Sequence, residues 1–166
     1  MGKELRGSAD IAVDTKVSVI IMNRPLKELL EKRAYAMYTD SVETVASPTL
    51  MEEMRWLAIY PQVGWTGLPD SFWHRYAVMT SRRAHGMGWV TPELADLLMT
   101  WHESASAAEV PFILMVMRGK VRLRMQLTPD DAATLNRITR LFETAAQSAI
   151  DVFTDASGQP ARSPKR

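Results

Sequence analysis

The sequence predicts an α+β domain: about five helices packed on a small antiparallel sheet built around a β-hairpin at residues 111–127, with a candidate third strand at 17–22. Three observations carry this. Apolar residues recur at helical spacing over most of the chain, they alternate strictly between Lys120 and Leu127, and one short β-branched run stands at Val17–Met22. At 166 residues the chain is long enough to bury a core unaided. It has no cysteine, which excludes disulfides, thiolate zinc sites and a cysteine nucleophile.

Residues 1–15 hold Gly2, Gly7 and Ser8 among scattered charges and no sustained period, so they read as disordered or loosely attached. The domain proper is expected over 16–154. Pro25 suits the first turn of a helix, and Leu26, Leu29, Leu30, Met37, Val42 and Val45 carry it to about Ala46. Ser47-Pro48 restarts a helix, with Glu52 and Glu53 near its positive end, until Pro61, Gly64 and Gly67 break it. Pro69-Asp70 opens a third helix to about Ala84, closed by Gly86 and Gly88, and Thr91-Pro92 caps a fourth through Trp101.

Phe112–Met117 is apolar on both faces, Arg118-Gly119 is a turn signal, and Lys120–Leu127 alternates, which together spell a hairpin. Asp130-Asp131 then leads a last helix over 129–153. Its Leu135, Ile138, Phe142, Ala145, Ala149 and Val152 form a seam that suits either its own sheet or a second copy in a homodimer. Residues 155–166 read as a flexible basic tail.

No apolar stretch approaches the ~20 residues of a membrane span, and the first residues lack the apolar run of a signal peptide. A cytoplasmic protein with no membrane partner is therefore expected. Three common catalytic and cofactor motifs are missing: Gly-x-Ser-x-Gly, the phosphate-cradling Gly-x-x-x-x-Gly-Lys and His-Glu-x-x-His. Gly86-Met87-Gly88 follows a predicted helix where a dinucleotide fingerprint must follow a strand. His102-Glu103 has no second ligand at i+4, and His74 and His85, eleven apart, could share a face but would need further ligands to hold a metal. No cofactor and no metal are expected, and a catalytic site would have to be dispersed along the chain.

Charge is segregated. Ser71–Pro92 and Val110–Pro129 hold seven of the 20 basic residues and no acid, so the remaining 13 basic and 19 acidic residues leave the rest at −6. If Val121, Leu123 and Met125 face the core, Lys120, Arg122 and Arg124 project together from the other side beside Arg118. Such a row suits a phosphate backbone, or guards an edge strand against aggregation. Either Phe112, Leu114 and Val116 or Ile113, Met115 and Met117 must share that face, and a helix of the same chain is the expected cover.

Two DNA-binding arrangements follow the order of elements. A winged helix-turn-helix would use the helices 69–84 and 92–104, but its reading helix carries Glu93, Asp96 and Glu103 without a cation. A ribbon-helix-helix would read bases with Lys16 and Ser18, which is poor equipment. Trp65 and Trp89, in glycine-rich segments, are candidates for stacking on a base or anchoring an interface.

The functional expectation is a non-catalytic accessory or regulatory protein of bacterial type. It would bind a polyanion, nucleic acid first, through Arg118, Lys120, Arg122 and Arg124, with Arg82, Arg83, Trp65 and Trp89 as further contacts. The alternative is a protein-interaction module, an adaptor, inhibitor or assembly subunit, using the mixed apolar and cationic hairpin face.

Overall fold

A computed structural model describes residues 4–39, 48–102, 105–126 and 131–156. Its centre is a six-stranded, fully antiparallel sheet in the order β1-β6-β5-β2-β4-β3. The strands are β1 (Leu5–Asp10), β2 (Ser18–Asn23), β3 (Gln62–Val63), β4 (Tyr76–Thr80), β5 (Phe112–Met117) and β6 (Lys120–Met125). The helical segments are α1 (Arg24–Thr39), α2 (Pro48–Ile59), α3 (Asp70–Arg75), α4 (Arg83–Trp89), α5 (Pro92–Thr100), α6 (Ala105–Ala108) and α7 (Ala132–Ala156). The α+β class and the hairpin are as the sequence predicts, but the sheet is larger.

The sheet separates two apolar layers. On one face Val19, Ile21, Val78, Leu114, Val116 and Leu123 pack against α4, α5 and α7. On the other, Ile20, Met22, Met79, Ile113, Met115 and Met117 lie beneath Leu26 and Leu30 of α1 and Trp56 of α2. Central strands β2, β4 and β5 are buried along their whole length, which explains their lack of alternation. β6 alternates because only one of its faces joins the larger core.

Three expectations are corrected. Residues 5–10 are not loose: they form edge strand β1, pairing Leu5 with Met125 and Asp10 with Lys120. The Phe142 ring packs over Gly7, 3.4 Å from where a Cβ would sit. The helix expected at 69–84 is α3 followed by β4, since Tyr76 turns extended at φ −129°, ψ 150° and Tyr76–Thr80 fills the sheet between β2 and β3. That strand removes the helix pair a winged helix-turn-helix needs. Gly86 and Gly88 do not close a helix but lie inside α4, where a Cβ on Gly88 would come within 3.0 Å of Val152 Cγ1.

The caps read from the sequence are partly in place. Thr91 accepts a hydrogen bond from Leu94 N at 3.1 Å and Pro92 opens α5. Thr91→Ala is expected to cost about 1 kcal/mol in chemical denaturation. Asp131 caps α7 through Thr134 N at 2.7 Å. The stretch 40–46 assigned to the first helix, the Ser47 cap and residues 157–166 of the basic tail lie outside the described residues.

The α7 seam packs on the chain's own sheet. Ile138, Leu141, Ala145, Ala149 and Phe153 are buried, whereas Leu135 is 43 % exposed. Most of the seam is thereby used within the fold. Among the described residues no helix is long and apolar enough to cross a membrane.

Candidate functional site

The hairpin cations do not form one stripe. Lys120, Arg122 and Arg124 do project from one face of β6, opposite the buried Val121, Leu123 and Met125. Register sets Arg124 beside Ile113, Arg122 beside Met115 and Lys120 beside Met117. Those three apolar residues are at most 6 % exposed, within the cluster that includes α1 and α2 residues, so the apolar half of the mixed face is covered by the chain itself.

Acids then neutralise two of the cations. Lys120 meets Asp10 at 3.3 Å across the β1–β6 ladder. Arg124 donates to Glu4 at 2.9 Å and forms an ion pair with Glu53 of α2. Burial raises the Glu4 pKa, but hydrogen bonds from Arg124 and Arg6 outweigh it and hold the carboxyl below its usual value. Arg122 has no ion-pair or hydrogen-bond partner among the described residues; it lines a cleft of about 250 Å³ between β1, β6 and α2.

Arg118 goes elsewhere. With Gly119 it forms the two-residue turn between β5 and β6, both with positive φ, 56° and 76°. Among the described residues no other non-glycine residue has positive φ, a conformation costing roughly 1–2 kcal/mol relative to the right-handed one. It leaves Arg118 exposed at one end of the sheet. The loop after β1 folds over this turn, with Ile11 N donating to Gly119 O at 2.8 Å.

The strand register identifies what else stands at that end. Val19 pairs with both Thr80 and Val116, and Ser18 with Met117. Lys16 before β2, Arg82 and Arg83 after β4, and Arg118 after β5 therefore share one end, across strands two spacings or roughly 10 Å apart. Thr80 Oγ1 shapes the corner, donating to Ser18 O at 2.7 Å and accepting from Arg82 N at 3.2 Å. All four cations are exposed, and none has a carboxylate partner among the described residues. The acids nearby are Asp10, held by Lys120, and Asp14, which accepts from Lys16 N at 2.9 Å. Burial first, and Arg82 second, push the His85 pKa down, so the ring adds no charge near neutrality.

The tryptophans expected at the site are elsewhere. Trp89 is fully buried, its Nε1 donating to Ala145 O at 2.9 Å, and is corrected to a core residue that no base can reach. Trp65 is half-buried, edge-on to Trp73 at 4.9 Å and packed over Gly86, on the face away from the hairpin cations. The histidines are scattered. His74 lines a small cleft with Arg24 and Glu28, while His102 Nε2 lies 2.7 Å from Arg75 Nη1. Because arginine only donates, that nitrogen accepts, and burial and then Arg75 lower the His102 pKa accordingly. No group of three potential metal ligands occurs among the described residues.

Sequence reasoning missed Lys16 as a member of the cluster and Glu53 as the partner of Arg124. Neither leaves a local signal, because the first needs the β2–β5 register and the second the seating of α2. Searches against family models, curated proteins and solved structures return no match for this chain.

Proposed function

We propose that the protein is a non-catalytic accessory or regulatory protein that binds a polyanion, nucleic acid, through the end of the sheet formed by Lys16, Arg82, Arg83 and Arg118. One observation supports this above the rest: four exposed cations from three separate stretches meet at one end of the sheet without a carboxylate partner among the described residues. In a fold that elsewhere pairs Lys120 with Asp10 and Arg124 with Glu4 and Glu53, cations left bare are a surface for an external anion. Setting an arginine at a positive-φ turn position, which glycine or asparagine fills without strain, favours the same reading. The interaction-module alternative loses support, since its apolar hairpin face is covered from within.

Fluorescence anisotropy with labelled single-stranded and duplex DNA and RNA tests it. If all four cations contact phosphates, raising salt from 50 to 200 mM should weaken binding about 50- to 150-fold. The triple variant Arg82→Glu, Arg83→Glu, Arg118→Glu should abolish binding while its circular dichroism stays unchanged. Arg124→Lys, at the paired position, should leave affinity nearly intact. Absence of binding to any of these probes at low salt refutes the proposal.

A further inference from the structure

The corner that gathers Lys16, Arg82, Arg83 and Arg118 also receives the end of α2. Tyr60, the residue after that helix, donates from its hydroxyl to Ser18 Oγ at 3.4 Å, and Thr80 N donates to Pro61 O at 3.1 Å. Ser18 and Thr80 are the residues whose own bond shapes the corner. The chain therefore sets an aromatic ring beside the cations, a place that neither Trp65 nor Trp89 takes.

The Tyr60 ring is half-buried, packed on one side against the apolar layer under α1 and α2. Beside it Ile59 is 55 % exposed. One turn earlier, on the same face of α2, Arg55 is exposed and has no carboxylate partner among the described residues. A single exposed apolar residue is ordinary on any surface. A ring and an isoleucine set between bare cations are the pairing of features that holds an unpaired strand: cations track the phosphates while bases lie on apolar and aromatic faces.

A duplex has no use for such a shelf. Its bases are paired and stacked inside, so its outer surface offers phosphates and sugars, for which the cations alone suffice. A single strand presents base faces beside its phosphates, and here both have a counterpart.

We propose that the polyanion is single-stranded nucleic acid, one base lying on Tyr60 against Ile59, with phosphates on Lys16 and Arg82 to one side and on Arg55 to the other. This rests on the polyanion reading above and names its substrate class. Stacking accepts any base, so binding is expected to tolerate most sequences.

Anisotropy titrations of the full chain with a single strand of about 12 nucleotides, the duplex of that length and an abasic strand of that length test it. A duplex carries twice the charge per unit length, so on charge alone it binds at least as tightly as one strand. The intact single strand is expected to bind tighter than the duplex, and tighter than the abasic strand by about 5- to 150-fold, the worth of one stacked base. Tyr60→Leu, which keeps an apolar residue over the core, should bring the intact strand down to the abasic level and leave the duplex unchanged. Tyr60→Phe should keep the affinity. Equal affinity for intact and abasic strands, or tighter binding of the duplex, overturns the proposal with the wild-type protein alone. So does a Tyr60→Leu protein whose melting temperature and single-strand affinity are both unchanged. If the Arg82→Glu, Arg83→Glu, Arg118→Glu protein has lost binding in those cases, the polyanion reading stands and only the stacking falls; if no probe binds at low salt, both fall.

Discussion

Arg124→Leu should be among the most damaging single substitutions in this protein, lowering unfolding free energy by about 3–5 kcal/mol. The reason lies in what it leaves behind. Glu53 is 1 % exposed and the Arg124 side chain 12 %, so removing the guanidinium strands a carboxylate under α2 with no other cation bonded to it among the described residues. It also removes the cross-strand partner of Glu4, which keeps only its neighbour Arg6, and so loosens the start of β1 against β6. The double variant Arg124→Leu, Glu53→Leu is the informative control. Without a buried charge to strand, it should recover most of the loss, because apolar pairs of similar volume replace buried ion pairs at little cost. Urea unfolding of the wild type, Arg124→Leu, Glu53→Leu and the double variant gives the coupling directly; equal losses for Arg124→Leu and the double variant would show that the pair is not what holds α2 to the sheet.

Trp89→Ala is expected to cost a comparable 3–5 kcal/mol through the cavity it leaves. The ring is fully buried between α4, α5 and α7, and its indole N–H bonds Ala145 O. Trp89→Phe separates the contributions: it keeps most of the apolar volume and loses the hydrogen bond, so a loss well under half that of alanine should follow. The same variant also checks the role of Trp89 in binding. If nucleic-acid affinity of a folded Trp89→Phe protein fell sharply, the assignment of this residue to the core would fail.

The hairpin was readable because its information is local. Strict alternation, a turn dipeptide and an apolar partner strand lie within 14 residues, Phe112 to Met125, and the register found is the one the pattern implies. β4 was unreadable for the opposite reason. A five-residue strand buried on both faces shows no alternation, and following directly on a helix it continues that helix's apolar spacing. β1 was hidden by composition: Gly7, Ser8 and Ala9 are turn and loop residues in isolation, and only pairing with β6 makes them a strand. The site divides along the same line. Arg118, Arg82 and Arg83 stood out as cations in acid-free stretches, whereas the neutralisation of Lys120 and Arg124 depends on Asp10, Glu4 and Glu53, each distant in the chain.

The pairing of β1 with β6 has a consequence for how the protein is made. Leu5 pairs with Met125, 120 positions later, so β1 must wait for β6 to leave the ribosome. At 5–20 residues per second that wait is about 6–24 s, long compared with the microseconds a hairpin needs to close. During it β1 has no ladder partner, and once β6 emerges its outer backbone stays open until β1 returns. The small and charged residues Arg6, Gly7, Ser8 and Asp10 suit a segment that spends seconds in water without adhering to its neighbours on a polysome.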